Sequence, residues 1–183
     1  MPPVAGTGAR RVLLANLLVA AVVVSLGVSY QLRRLHRFDG LIIKIAREQG
    51  VDPRLIAAIV WIESRFDPSR IGGAGEIGLM QVTEAAAAEW AQEHGVPAPR
   101  RQDLADPELN LRIGTWYLAR ALRRWAKRSD PLPFALAEYN AGPTNARRWA
   151  AAATDGRDFI ARISYAGTKA YVINVLRRYR GGV

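Results

Sequence analysis

From Val12 to Tyr30 the chain reads VLLANLLVAAVVVSLGVSY, 19 residues without a charge, with Arg10 and Arg11 before it and Arg33 and Arg34 after it. As a helix this run would span roughly 28 Å at about 1.5 Å per residue, close to the hydrocarbon thickness of a bilayer. It can cross a membrane once. A secretory signal usually has a shorter apolar region of about 7–15 residues and a small-x-small cleavage site; the best site here is Gly27-Val28-Ser29. The run therefore reads as an uncleaved anchor, with a cleaved signal as the alternative. Arginines flank both ends, so the positive-inside rule guides orientation only weakly, towards an inside N-terminus and an outside domain.

The anchor divides the chain into a basic N-terminus (1–11), the span itself (12–30), a basic juxtamembrane linker (31–38) and one domain-sized remainder (39–183). Half of all residues are apolar and 23% are charged, a balance that suits a globule and not a disordered or multispanning chain. The net charge of +10 owes much to the five arginines of residues 1–38, beyond which 21 basic residues face 16 acidic ones. That surplus suits an anionic polymer or a membrane surface. Nucleic acid is not an expected partner, because no reading motif accompanies the charge. The absence of cysteine excludes a disulfide framework and a thiol nucleophile.

Beyond residue 38 the patterning is helical. Asp39 is placed to cap LIIKIAREQ, with Gly50 as its stop, and Asp52 to cap a second helix that has Pro53 at its first position. Glu63 falls near the end of that second helix, after the uncharged run LIAAIVWI. SRIGGAGEIG, Ser69 to Gly78, reads as a loop, followed by a helix over Glu84 to Glu93 and the connector VPAPRRQ. Asp106 and Pro107 start a long amphipathic helix with Leu109, Ile113, Tyr117 and Leu118 at helical spacing. Shorter helices are expected around Phe134 to Tyr139, Asn145 to Ala152 and Thr168 to Tyr179. No convincing strand alternation occurs, so the fold class is mainly α.

Little of the chain suits metal or nucleophile chemistry. His36 and His94 are 58 residues apart, with no spaced ligand set around them. A nucleophile elbow with its histidine base is missing, and Gly72, Gly73 and Gly75 lack the lysine of a phosphate loop. No metal or cofactor is expected. Acid–base chemistry remains, because a carboxyl group set against apolar residues keeps its proton to higher pH. Glu63 has such neighbours, although position alone equally allows a solvated face or an ion pair with Arg65. GEIGLMQV (Gly75 to Val82) and AEYNAGP (Ala137 to Pro143) add small residues and polar side chains able to donate and accept at a sugar.

ESRFDP, then GLMQ beginning 15 residues after the glutamate, then AEYNAGP, then Tyr171 and Val172, form an ordered set within a domain of suitable size. Over roughly residues 40–180 the chain resembles the soluble lytic transglycosylase family 1 domain, which has a lysozyme-like fold. The resemblance implies that Glu63 is the single catalytic acid/base and that Ser64 follows it as usual. It further implies that Gly78, Leu79, Met80 and Gln81 line a glycan groove, with Tyr139 and Asn140 across from the acid and Tyr171 near it on the final helix. The implied reaction cleaves the β-1,4 bond between N-acetylmuramic acid and N-acetylglucosamine without water. Glu63 protonates the leaving oxygen, the substrate's acetamido group supports C1, and the muramoyl 6-hydroxyl closes a 1,6-anhydro ring.

Three positions depart from the family pattern: Gly72 where a serine is frequent, and Ser164 and Gly167 where a proline and a glutamate are common before Thr168 and Tyr171. If Asp67, Glu76 or Glu138 faced Glu63 across the cleft, a hydrolytic muramidase would be the enzymatic rival, since hydrolases generally use two carboxylates. A glycan-binding scaffold without turnover is the non-enzymatic rival. Trp61 and Trp116 read as core residues in preference to sugar platforms. The expected partners are peptidoglycan glycan strands and, through residues 12–30, a membrane. The expected location is a single pass of the cytoplasmic membrane, with the catalytic domain on the periplasmic or extracytoplasmic side.

Overall fold

The computed structural model describes residues 7–181. The sequence divides into two units, 1–37 and 38–183. Within the first, a single helix α1 (Thr7–His36) carries exposed apolar side chains from Val12 to Leu26. Its Arg10–Gly27 window, of mean hydropathy 1.8, is long and apolar enough to cross a membrane. The helix continues through residues 31–36, where the sequence reads as a linker, and the first six residues of the basic N-terminus lie outside the described residues.

In the second unit, helices α2 (Asp39–Glu48), α3 (Pro53–Ser64) and α4 (Glu84–His94) precede a short 3-10 helix (Arg101–Ala105). The long helices α5 (Pro107–Trp125) and α6 (Leu132–Ala150), then α7 (Gly156–Arg162) and α8 (Ala166–Gly181), complete the unit. Among the described residues there are no strands, only antiparallel bridges of Ile77 with Ile71 and Val82, so the fold is mainly α as expected. Asp52 caps α3 through its side chain, accepting from the Arg54 backbone N–H at 2.8 Å. Phe38, and not Asp39, is the N-cap of α2, while Gly50 follows its C-cap at φ +70°. The connector after α4 contains the 3-10 helix. The two short helices expected around AEYNAGP join across a kink at Gly142 (φ 80°). Helix α7 was not expected.

The core gathers around α5, whose Leu111, Ile113, Leu118 and Ala121 are fully buried, and it packs on α6. Phe134 of α6 stacks on Phe159 of α7 at 4.0 Å and tilts against Trp125 at 5.2 Å. Helix α3 packs on α2 and α8, burying Ile56 and Ile59 beside the fully buried Ile45, Val172 and Val175. Each such aliphatic or aromatic side chain stabilises the fold by about 1.5–3 kcal/mol through burial. This packing leaves the last turn of α3, the loop after it, the middle of α6 and the first half of α8 to form one polar locus.

Candidate active site

Glu63 is the penultimate residue of α3. The preceding face is sealed into the core by Leu55, Ile56, Ala58, Ile59 and Val60, so its carboxyl emerges against apolar surroundings, itself only partly buried. Arg65 does not pair with it. The Arg65 backbone turns left-handed (φ 56°) as the helix cap, and its guanidinium lies 4.3 Å from the centroid of the Trp61 ring. Without a salt bridge, desolvation dominates and pushes the Glu63 carboxyl up to about 7, helped by the negative charge of Glu76. Tyr171 and the charge of Arg70 act in the opposite direction. The Tyr171 hydroxyl is buried without a hydrogen bond of standard geometry, yet it is turned to the Glu63 carboxyl closely enough to favour the ionised form.

The loop after α3 is held from below. Ser64 Oγ donates to the carbonyls of Val60 (3.1 Å) and Leu79 (2.9 Å), tying the helix end to GLMQ. From α5, the fully buried Asn110 accepts from the Met80 N–H at 2.8 Å and donates to the carbonyls of Ile77 (2.8 Å) and Leu104 (2.7 Å). Gly78 (φ +83°) is where this amide approaches, and an added Cβ would meet the Asn110 side chain and, at 2.8 Å, the Leu104 carbonyl. Met80 in turn fits against Gly114, whose added Cβ would lie 2.6 Å from its sulfur. Among the described residues, the non-glycines with positive φ are Arg65, Phe66 and Gln81, all in the segment just beyond Glu63. Backbone held in such conformations costs of order 1–3 kcal/mol per residue and persists where the surroundings over-determine it.

Tyr139 closes the locus from α6. Its hydroxyl donates to the Met80 carbonyl at 2.7 Å, and burial together with the nearby Glu63 charge raises its pKa well above the usual phenol value. Tyr171 is raised likewise, by burial first and the same carboxylate second. Asn140, exposed beside it, accepts from Thr168 Oγ1 at 2.8 Å, joining α6 to α8. A cleft of about 270 Å³ opens here, with Gln81, Tyr117, Tyr139 and Asn140 among its lining residues. The Gln81 amide is oriented by donation to the carbonyls of Arg70 (3.1 Å) and Gly78 (3.0 Å).

The structure thus brings Glu63, Tyr139 and Tyr171 together and puts Gln81 and Asn140 on the cleft. Of the residues expected to line a groove, Gly78, Leu79 and Met80 are buried, as is Ser64 beside Glu63. Their backbone and hydroxyl groups are spent on Asn110, Tyr139 and each other, so they shape the site from beneath. Asn110 is the residue that sequence reasoning missed. Its only signal was an amide on the apolar face of an amphipathic helix. The three rival acids separate clearly. Glu138 is fully buried against Arg124 and Trp125, Asp67 accepts from the backbone N–H (3.0 Å) and hydroxyl (2.7 Å) of Ser69, and Glu76 accepts from Ala74 N–H at 3.0 Å while its charge reaches Glu63. Gly72 lies beneath Glu76 and Gln81, and an added Cβ there would meet Gln81 Oε1 at 2.6 Å. Ser164 accepts from Trp149 Nε1 at 3.0 Å. Among the described residues, no group of three or more His, Asp or Glu gathers as a metal-ligand set.

Comparison with known proteins bears on this locus directly. Residues 40–160 match the family described as the transglycosylase SLT domain. The chain is 42% identical over 112 residues to membrane-bound lytic murein transglycosylase F of Desulfosudis oleivorans, covering 60% of this chain and 23% of that protein. It is 34% identical over 104 residues to membrane-bound lytic murein transglycosylase C of Cronobacter sakazakii, covering 56% and 29%. Among solved structures, the 70 kDa soluble lytic transglycosylase of Escherichia coli superposes with a TM-score of 0.69 at 28% identity, over 76% of this chain and 23% of that one. An inactive mutant of lytic transglycosylase Slt from Pseudomonas aeruginosa gives 0.68 at 30%, over 75% and 22%. The chain spans roughly a quarter of the length of these relatives. With the match covering the segments that carry Glu63, Gln81 and Tyr139, this chain belongs to the transglycosylase SLT domain family.

Proposed function

We propose that this protein is a peptidoglycan lytic transglycosylase with Glu63 as its acid/base. The observation that carries the reading is a carboxyl group kept up to about 7 by burial, near the phenols of Tyr139 and Tyr171 and without a salt bridge. Near neutrality a sizeable fraction of such a group is protonated and can give its proton to a glycosidic oxygen, and the resulting carboxylate can then take one from the muramoyl 6-hydroxyl. A general acid matched to the working pH contributes about 10²–10⁴-fold to rate. Tyr139 holds GLMQ through the Met80 carbonyl, and Gln81 and Asn140 offer amide groups on the cleft. Relatives named lytic murein transglycosylases support the same reaction.

Digestion of peptidoglycan in oxygen-18 water tests this. Internal attack by the 6-hydroxyl leaves unlabelled 1,6-anhydro ends about 20 Da lighter than the labelled hydrolysis products, since no water is added. Labelled reducing ends as the main product would make the protein a muramidase and Glu76, whose charge reaches Glu63, the second carboxylate. Absence of new fragments would indicate a glycan-binding scaffold.

Residues 12–30 are proposed to anchor the chain in the cytoplasmic membrane by a single pass, with the N-terminus inside and the catalytic domain on the periplasmic side, where its substrate lies. The apolar window at Arg10–Gly27 and relatives named membrane-bound support this. Full-length protein should resist alkaline extraction and yield its domain to protease added from outside. A soluble product beginning near residue 30 would make the segment a signal peptide.

A further inference from the structure

Beyond Glu63, the same two helices build a second polar feature. Trp61 on α3 is approached by two guanidinium groups, Arg65 at 4.3 Å from the ring centroid and Arg178 of α8 at 4.0 Å. Beside them lies a hollow of about 490 Å³ lined by Trp61, Arg65, Asn174, Arg177 and Arg178, among others. Three other arginines that pack on the domain are neutralised: Arg112 reaches Glu48 and Glu108, Arg120 reaches Glu89, and Arg124 reaches Glu138. Here no carboxylate of the described residues arrives. Arg65, Arg177 and Arg178 enter none of the ion pairs among the described residues, and the buried Nε of Arg178 has no hydrogen-bond partner. Burial and the neighbouring Arg65 push the Arg178 guanidinium below its ordinary pKa, a sign that two like charges are held together uncompensated.

Cations kept close without an acid of their own form a receptor for an oxyanion, and arginine presents paired N–H groups to a carboxylate or phosphate. The location indicates which. Tyr171, Asn174 and Arg178 stand at i, i+3 and i+7 on one face of α8, so Arg178 is placed about two helical turns, roughly 10 Å of backbone rise, from the residue whose phenol faces Glu63. A group bound there can belong to the molecule being cut. We propose that the Trp61, Arg65, Arg177, Arg178 and Asn174 hollow is a carboxylate subsite that takes the acidic peptide stem of the glycan strand. This rests on the proposed function for its substrate, and it makes the stem a determinant of which strands are bound.

The test measures binding of the full chain, in a Glu63→Gln background so that strands stay intact, to two probes: glycan strands bearing peptide stems and the same strands stripped of them. Stem-bearing strands should bind more tightly. Arg65→Gln and Arg178→Gln should each lower that preference about tenfold, the size of one lost charge-assisted hydrogen bond. Amidating the stem carboxylates should produce the same loss. Because Arg178 is half-buried, Arg177→Glu, at an exposed position, provides a variant with little risk to folding and should lower the preference further by repulsion. An unchanged preference in folded variants overturns the proposal. So does a preference that survives while the same variants stop binding phosphatidylglycerol vesicles, which would assign the hollow to a lipid phosphate. If the chain with Glu63 intact cleaves neither strand but the preference behaves as expected, the subsite stands and the proposed reaction falls.

Discussion

Two glutamates close apolar stretches of helix in this domain, and their surroundings differ in one decisive respect. Glu138 on α6 is 1% exposed, accepts from Arg124, and takes a second bond from Trp125 Nε1 at 2.8 Å. Glu63 on α3 is only partly buried and has two phenols and a distant arginine around it instead. The more deeply buried group is the structural one, because one oxygen is met by a guanidinium and the other by an indole N–H. The less buried group carries the consequences of desolvation, because nothing repays it. Burial alone therefore does not identify a tuned acid; the partner set does.

The largest expected effect breaks the compensated side. Arg124→Ala should strand a carboxylate in the core beside Trp125 and lower stability by about 3–5 kcal/mol, read by denaturant unfolding. On the uncompensated side the sign reverses. Glu63 is raised in the fold, so the native state holds a proton that the unfolded chain has released between about 4.5 and 7. Stability from this group is full below pH 4.5 and is lost as pH climbs to 7. Glu63→Gln should thus be more stable than the parent by roughly 3 kcal/mol at pH 8, with the gap closing below pH 4.5. The same variant should lose about two orders of magnitude or more in peptidoglycan turnover, and near-normal turnover would remove Glu63 from the acid role. A smaller effect belongs to Tyr139→Phe, which leaves the Met80 carbonyl without its donor. About 1–3 kcal/mol of stability should go, and turnover should fall by more than that instability accounts for.

Much of this contrast was legible in the residues. The uncharged run before Glu63, the Asp52-Pro53 start of its helix and the AEYNAGP stretch all led to elements and positions that the structure shows. Glu138 was one of three open candidates, because the residue that neutralises it, Arg124, lies on another helix at a distance sequence spacing does not encode. Gly78, Leu79 and Met80 read as groove residues because the family resemblance places the whole GLMQ stretch there. A left-handed turn at Arg65 and Phe66 and the Asn110 amide direct them inward. The same turn aims Arg65 at Trp61, which is why the possible Glu63–Arg65 pair does not form. Gly142, at a non-helical φ of 80° and ψ of 163°, breaks α6 where the residues read as the gap between two short helices.

The central claim, that Glu63 stays protonated into the neutral range for want of a cationic partner, can be measured without substrate. Carboxyl infrared or carbon-13 titration of the purified protein, with Glu63→Gln subtracted to isolate the group, should show a midpoint near 7. A midpoint at the ordinary 4.5 would mean that solvent or an unseen charge compensates Glu63 as Arg124 does Glu138, and would contradict the account.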